Sequence, residues 1–220
     1  LASGFWHLAS GSGTMECMKN VAVFEGAARA FLDVLDRITV TQWDEPGLGV
    51  WTIRSLAGHT ARAISTVGEY LTGPSPTTSS CPDAESYFLG LHDASVSGDV
   101  VATRGVAAGE LLGENPRDVV AQSLDRVLAA IATQPQNRIV SVVGGRTIPL
   151  AEYLRTRSFE LVVHTMDLAR TTGIAHSLPM EAISDAAALA ARIAARSGNG
   201  ETLLLAVTGR FPLPDSFSVV

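Results

Sequence analysis

Apolar residues at Val21, Phe24, Ala28, Phe31, Leu35 and Ile38 fall at steps of three and four. One face of an α-helix accommodates that spacing; a strand, whose side chains alternate every two residues, does not. The same rhythm returns at Ile53, Leu56, Ala63, Ile64, Val67 and Leu71, then at Val120, Leu124, Val127, Leu128 and Ile131, and again at Leu154, Leu161 and Leu168. Four amphipathic stripes of this kind bury themselves against one another, so the expected fold is all-α, a four-helix bundle. With 46% hydrophobic and 17% charged residues, the chain has ample material for such a core, and disordered, collagen-like and mucin-like classes are excluded.

The punctuation between stripes fixes the remaining elements. Thr52 is placed to cap the second helix, and Gly73-Pro74 to stop it. Ser75 to Pro82 reads as a flexible connection. Between Asp83 and Leu112 four glycines interrupt a helical pattern, which predicts a helix broken near Ser97-Gly98. Pro116 fits the first turn of the next helix. Ile139 to Val143, Gly144-Gly145 and Arg146 to Ile148 predict one small β-hairpin. A long helix follows from Pro149 to Thr172, stopped at Gly173, with shorter ones over 179–196 and 201–207. Residues 1–14, rich in Gly, Ser and Ala, read as a tag or loose terminus, and 15–220 as a single domain.

Net charge is −6, with no run of Lys or Arg, so neither a phosphate backbone nor an anionic membrane is an expected partner. No apolar run approaches the ~20 residues of a membrane span. Cys17 and Cys81 are the only cysteines and lie far apart, which fits a cytoplasmic protein rather than a disulfide scaffold. No nucleophile elbow, phosphate loop or dinucleotide fingerprint is present.

The chemistry lies on the long helix after the hairpin. Glu160 and His164 are four residues apart and project from one side, where they are placed to grip a single ion. They point toward the apolar row of Leu154, Leu161 and Leu168, and a carboxylate sent inward requires a metal, an Arg or a hydrogen-bond network. His59 lies on the inward stripe of the second helix. A His-Glu-His set suits Zn²⁺ or Ni²⁺, leaves positions for water or substrate, and carries a residual positive charge that favours a bound thiolate. The alternative is structural: Glu160 solvated or paired with Arg157 or Arg155, and both imidazoles satisfied in the core. Asp167 has the spacing to orient His164, with Arg170 or Arg54 as its ordinary partners. His92 and His176 lie near helix ends, a surface setting, and Trp43 and Trp51 read as core anchors around the loop before the second helix.

Val50-Trp51-Thr52-Ile53-Arg54-Ser55-Leu56-Ala57-Gly58-His59 resembles a signature of the DinB-like, mycothiol-dependent maleylpyruvate isomerase family of actinobacteria. Phe159-Glu160-Leu161-Val162-Val163-His164-Thr165-Met166-Asp167-Leu168-Ala169 resembles its second signature, and Thr202 to Arg210 is similar to the close of its metal-binding domain. The resemblance implies a DinB-like four-helix bundle with a divalent metal, usually zinc, held by His59, Glu160 and His164. It also implies mycothiol or a similar thiol as cofactor, and isomerisation or S-transfer on a small electrophile. The full isomerase carries a smaller α/β domain after the bundle, whereas ten residues follow Arg210 here, so the substrate does not follow from the family. A non-catalytic metal-binding bundle that takes a small molecule or a partner protein is the second expectation, and pairing of two chains is left open.

Overall fold

The computed structural model describes residues 9–93 and 98–220, with side chains over 15–91 and 100–220. Helix α1 (Ala9–Leu35) leads through a short 3₁₀ turn at Gln42–Asp44 to α2 (Ile53–Leu71), α3 (Ala84–Asp93), α4 (Gly98–Leu111) and α5 (Pro116–Ala132). Strands β1 (Ile139–Ser141) and β2 (Thr147–Pro149) then precede α6 (Leu150–Thr172), α7 (Met180–Arg196) and α8 (Gly200–Val207). The expected class is the observed one: an all-α protein with a single antiparallel hairpin among the described residues.

The four long stripes form the bundle. Helix α6 packs on α1 and α2, and α5 packs on the other side of the same two helices. Phe24, Phe31, Leu56, Ile64, Leu124, Leu154, Leu161 and Leu168 are fully or almost fully buried between them. Each such side chain removed from water contributes ~1.5–3 kcal/mol, which sets the register of the helices. Helix α7 covers α6, α3 and α1, and α4 lies along α2. Among the described residues no helix is long and apolar enough to cross a membrane.

The local signals act as expected at most boundaries. The Thr52 side chain accepts a hydrogen bond from the Ser55 amide and caps α2, a contact generally worth ~1 kcal/mol. Gly144 and Gly145 turn the hairpin with φ of 77° and 71°, the left-handed region that β-carbons disfavour. Ile139 pairs with Pro149 and Ser141 with Thr147.

Three expectations need correction or completion. Helix α1 begins at Ala9, so it runs into the segment read as a tag or loose terminus, extension of an existing helix being far cheaper than starting one. The connection over 75–82, expected to be flexible, is tied to the hairpin: the Ser80 and Cys81 amides donate to the Thr147 carbonyl at 3.1 and 2.8 Å, and the Ser75 hydroxyl to that of Ile139 at 3.3 Å. Its Ser and Thr side chains are partners for an otherwise exposed strand edge. The expectation of a break near Ser97-Gly98 falls on residues 94–97, which lie outside the described residues, as does the side chain of His92.

The glycines that obscured the reading of α4 have a packing role. A β-carbon on Gly58 of α2 would lie 2.1 Å from the Gly109 nitrogen, and one on Gly109 would lie 2.8 Å from the Arg54 carbonyl oxygen. The two helices therefore cross backbone against backbone. Spacing in sequence reports a helix's own period, and a glycine seam is visible only once the partner helix is known.

Candidate metal centre

Helix α2 and helix α6 bring His59, Glu160 and His164 together. One donor atom from each lies within 4.8 Å of the others, and each residue is half-buried. On α6 the i, i+4 spacing places Glu160 Oε2 3.2 Å from His164 Nε2. The i, i+3 spacing places Asp167 Oδ2 3.1 Å from His164 Nδ1. Asp167 thus contacts His164, not Arg170 or Arg54; the Arg54 guanidinium instead donates to the Gly113 carbonyl and lies 5.0 Å above the Trp43 ring. His176 is exposed and stands apart from the group.

His59 has the opposite surroundings. Its Nδ1 is buried and has no hydrogen-bond partner. The Trp51 ring packs on the imidazole at 4.5 Å between centroids, and the His164 ring meets it edge-on at 4.9 Å. Trp51 is therefore more than the core anchor expected. A polar atom left unpartnered at such a depth costs ~1–3 kcal/mol, so its place opposite a carboxylate and a second imidazole asks for a ligand.

The electrostatics separate the three donors. Burial, with the His164 charge nearby, pushes His59 down to about 4, so it is a neutral imidazole. For His164 burial is outweighed by hydrogen bonds to Asp167 and Glu160, which raise it to about 9. In the metal-free protein it is an imidazolium donating through both nitrogens. Glu160 is also opposed by burial, yet the His164 hydrogen bond and the Arg157 charge lower it to about 2. The Glu160 side chain is 24% exposed and lies 4.0 Å from the Arg157 guanidinium. Arg155, the other expected partner, turns away to Glu152 and Glu85 at 2.6 and 3.3 Å.

The donor set fits a divalent ion. Two imidazoles and a carboxylate at ~2.1 Å from a tetrahedral centre stand roughly 3.4 Å apart; Glu160 and His164 at 3.2 Å already meet that spacing, and the remaining separations, within 4.8 Å, need to close by no more than about 1.4 Å. His164 must give up a proton to join, while Asp167 remains as the acceptor that orients its ring.

A cavity of about 550 Å³ opens beside this group, and His59 and Glu160 form part of its wall. Arg62, Arg104 and Arg157 line it together with Tyr70 and Tyr87. Arg157 is only 12% exposed and sits over the Tyr153 and Tyr87 rings at 4.9 and 5.6 Å. Tyr153 in turn is fixed by a 2.9 Å hydrogen bond to Thr66 of α2. Sequence reasoning missed this basic, aromatic wall. The signal was present: Tyr153, Arg157 and Glu160 follow one another at steps of four and three, and Arg62 lies three after His59.

The family described as the mycothiol maleylpyruvate isomerase N-terminal domain matches residues 24–169, which include all three donors. Two similar solved structures are the mycothiol-dependent maleylpyruvate isomerase and a His-to-Ala mutant of it. Both superpose with a TM-score of 0.53, over 80% of this chain and 69% of theirs, at 19% identity for the former and 17% for the mutant. At that identity the likeness is one of fold. No curated protein sequence matches the chain.

Proposed function

The chain belongs to the mycothiol maleylpyruvate isomerase N-terminal domain family, and from that premise we propose that it is a metal-dependent thiol transferase or isomerase acting on a small electrophile. The observation that carries the reading is the convergence of His59, Glu160 and His164, from two helices, at the wall of an arginine-lined cavity. Residues 15–220 act as one domain, the metal is zinc or a similar divalent ion such as nickel, and the thiol is mycothiol or a low-molecular-weight relative. The compartment that fits such a thiol is the cytoplasm.

A divalent ion held by these donors supplies Lewis-acid polarisation and a lowered pKa for a thiol placed next to it. The chain's own residues do the rest. His59 and Nε2 of His164 offer imidazole nitrogens, and Glu160 offers a carboxylate that Arg157 keeps ionised. Asp167 accepts from His164 Nδ1 and fixes which nitrogen faces inward. Arg62, Arg104 and Arg157 draw an anionic group of a ligand to the cavity, and the Tyr70 and Tyr87 rings, backed by buried Tyr153, limit water beside it.

Metal-loaded protein incubated with mycothiol and a reactive electrophilic acid tests the proposal. Turnover that requires both thiol and metal, and disappears in Glu160→Ala, is the expected result. Binding of thiol and metal with no turnover across a panel of electrophiles would overturn it in favour of a non-catalytic binding module.

A further inference from the structure

Every donor on α6 is held in place by a neighbour's hydrogen bond, whereas no hydrogen bond among the described residues orients the His59 ring, and its buried Nδ1 is left as a free donor atom. Metal-binding histidines are ordinarily oriented by a hydrogen bond from the second ring nitrogen. Here the orienting contact is the Trp51 ring, 4.5 Å from the imidazole and tilted by 32°. The indole is itself fixed from two sides. Its Nε1–H donates to the Ala102 carbonyl of α4 at 3.0 Å, and its backbone closes a tight loop in which the Gly47 amide donates to the Trp51 carbonyl at 2.7 Å and the Trp51 amide to that of Leu48 at 3.0 Å.

The socket for the indole is Gly105, on the next turn of α4 after Ala102. A β-carbon there would lie 2.6 Å from Trp51 Cε2 and Nε1 and 2.8 Å from Cζ2. Gly105 has no positive φ, so its backbone is open to any residue. A helical glycine costs about 1 kcal/mol relative to alanine. The space taken by the indole is the physical reason for a glycine at that position.

We propose that Trp51 is a positioning residue for His59, pressed against the imidazole by a socket on α4 that glycine at position 105 leaves open. The inference rests on the metal-centre reading above. Fixing the ring before an ion arrives removes rotational freedom that binding would otherwise have to freeze, and loss of such support typically weakens a site by about 10–100-fold.

The test titrates metal-free protein with Co²⁺ against a chromophoric chelator and records the ligand-field spectrum, for wild type, Gly105→Ala, Trp51→Leu and Trp51→Phe. Apo-protein melting is measured alongside. Gly105→Ala and Trp51→Leu are expected to bind about tenfold or more weakly with an altered spectrum. Trp51→Phe, which keeps an aromatic face, should recover most of the affinity. Wild-type affinity and spectrum in both Gly105→Ala and Trp51→Leu would overturn the inference. So would a loss that merely tracks melting temperature, with Trp51→Phe no better than Trp51→Leu. Should Gly105→Ala not fold, the two Trp51 variants decide. Wild type that takes up no Co²⁺ overturns the metal reading itself and this inference with it, whereas wild-type binding with indifferent variants overturns only the role of Trp51.

Discussion

On α6, Glu160, His164 and Asp167 hold one another through contacts of 3.2 and 3.1 Å along one helix face, whereas His59 on α2 makes no hydrogen bond through its buried Nδ1 and rests on Trp51. The first group is written in the local spacing of a single helix and is assembled whenever that helix forms. The second depends on a loop, a glycine and a neighbouring helix meeting correctly. The contrast extends to charge: His164 is raised by its carboxylate partners, and His59 is lowered by burial. One half of the site is therefore satisfied without an ion and must be disrupted to bind one, while the other is unsatisfied until an ion or ligand arrives.

Removing a donor from either half should abolish tight metal binding, with a loss of more than about 100-fold, beyond that of an orienting residue. The halves should differ in what happens to the metal-free fold. Glu160→Ala strips a partner from both Arg157 and His164, and should lower unfolding free energy by about 1–3 kcal/mol. His59→Ala removes a side chain with no hydrogen bond to lose at Nδ1, and should cost no more than about 1 kcal/mol. Competition titration and urea unfolding of both variants check this; equal stability losses would erase the distinction.

Asp167→Asn should leave the fold intact and weaken metal binding by about 10–100-fold, since the amide orients His164 poorly and adds no charge. Metal affinity should also rise with pH, by about tenfold between pH 7 and 8, because binding displaces the His164 proton below about pH 9. Calorimetry in buffers of different ionisation enthalpy should register close to one proton released per ion at pH 7. His59, neutral above about 4, adds none.

The halves should also differ in how pH acts on metal-free stability, with opposite signs. His164 is raised above its ordinary 6.5, so its contribution is complete below that value and is lost as pH climbs through about 9. His59 is depressed, so its contribution is complete above 6.5 and is lost as pH falls toward about 4. Urea unfolding of the metal-free protein at pH 5, 6.5 and 9 should show both flanks, with the alkaline one reduced in His164→Gln and the acidic one reduced in His59→Gln.

Much of this was legible in the chain. The three- and four-residue steps give the bundle, Thr52 and Pro116 give helix starts, and Gly144-Gly145 gives the hairpin, because each is a local physical signal. Glu160 and His164 are legible as a pair for the same reason. Asp167 is legible as spaced to reach His164, but spacing alone does not decide between that imidazole and Arg170 on the same helix or Arg54 on another. The socket for Trp51 and the seam between Gly58 and Gly109 were invisible, since a glycine in a helical run looks like an interruption until the neighbour filling its space is located. The tie between residues 75–82 and β2 was missed in the same way: Ser and Thr signal a loop, and only the strand edge turns that loop into a fixed connection.

The most direct test of the account is metal content. After loading with Zn²⁺ and exhaustive dialysis, elemental analysis should find about one ion per chain in the wild-type protein and essentially none in His164→Ala, with both folded by circular dichroism. A wild-type protein without stoichiometric metal, or a folded His164→Ala that retains it, would contradict the assignment of His59, Glu160 and His164 as the centre of this molecule's chemistry.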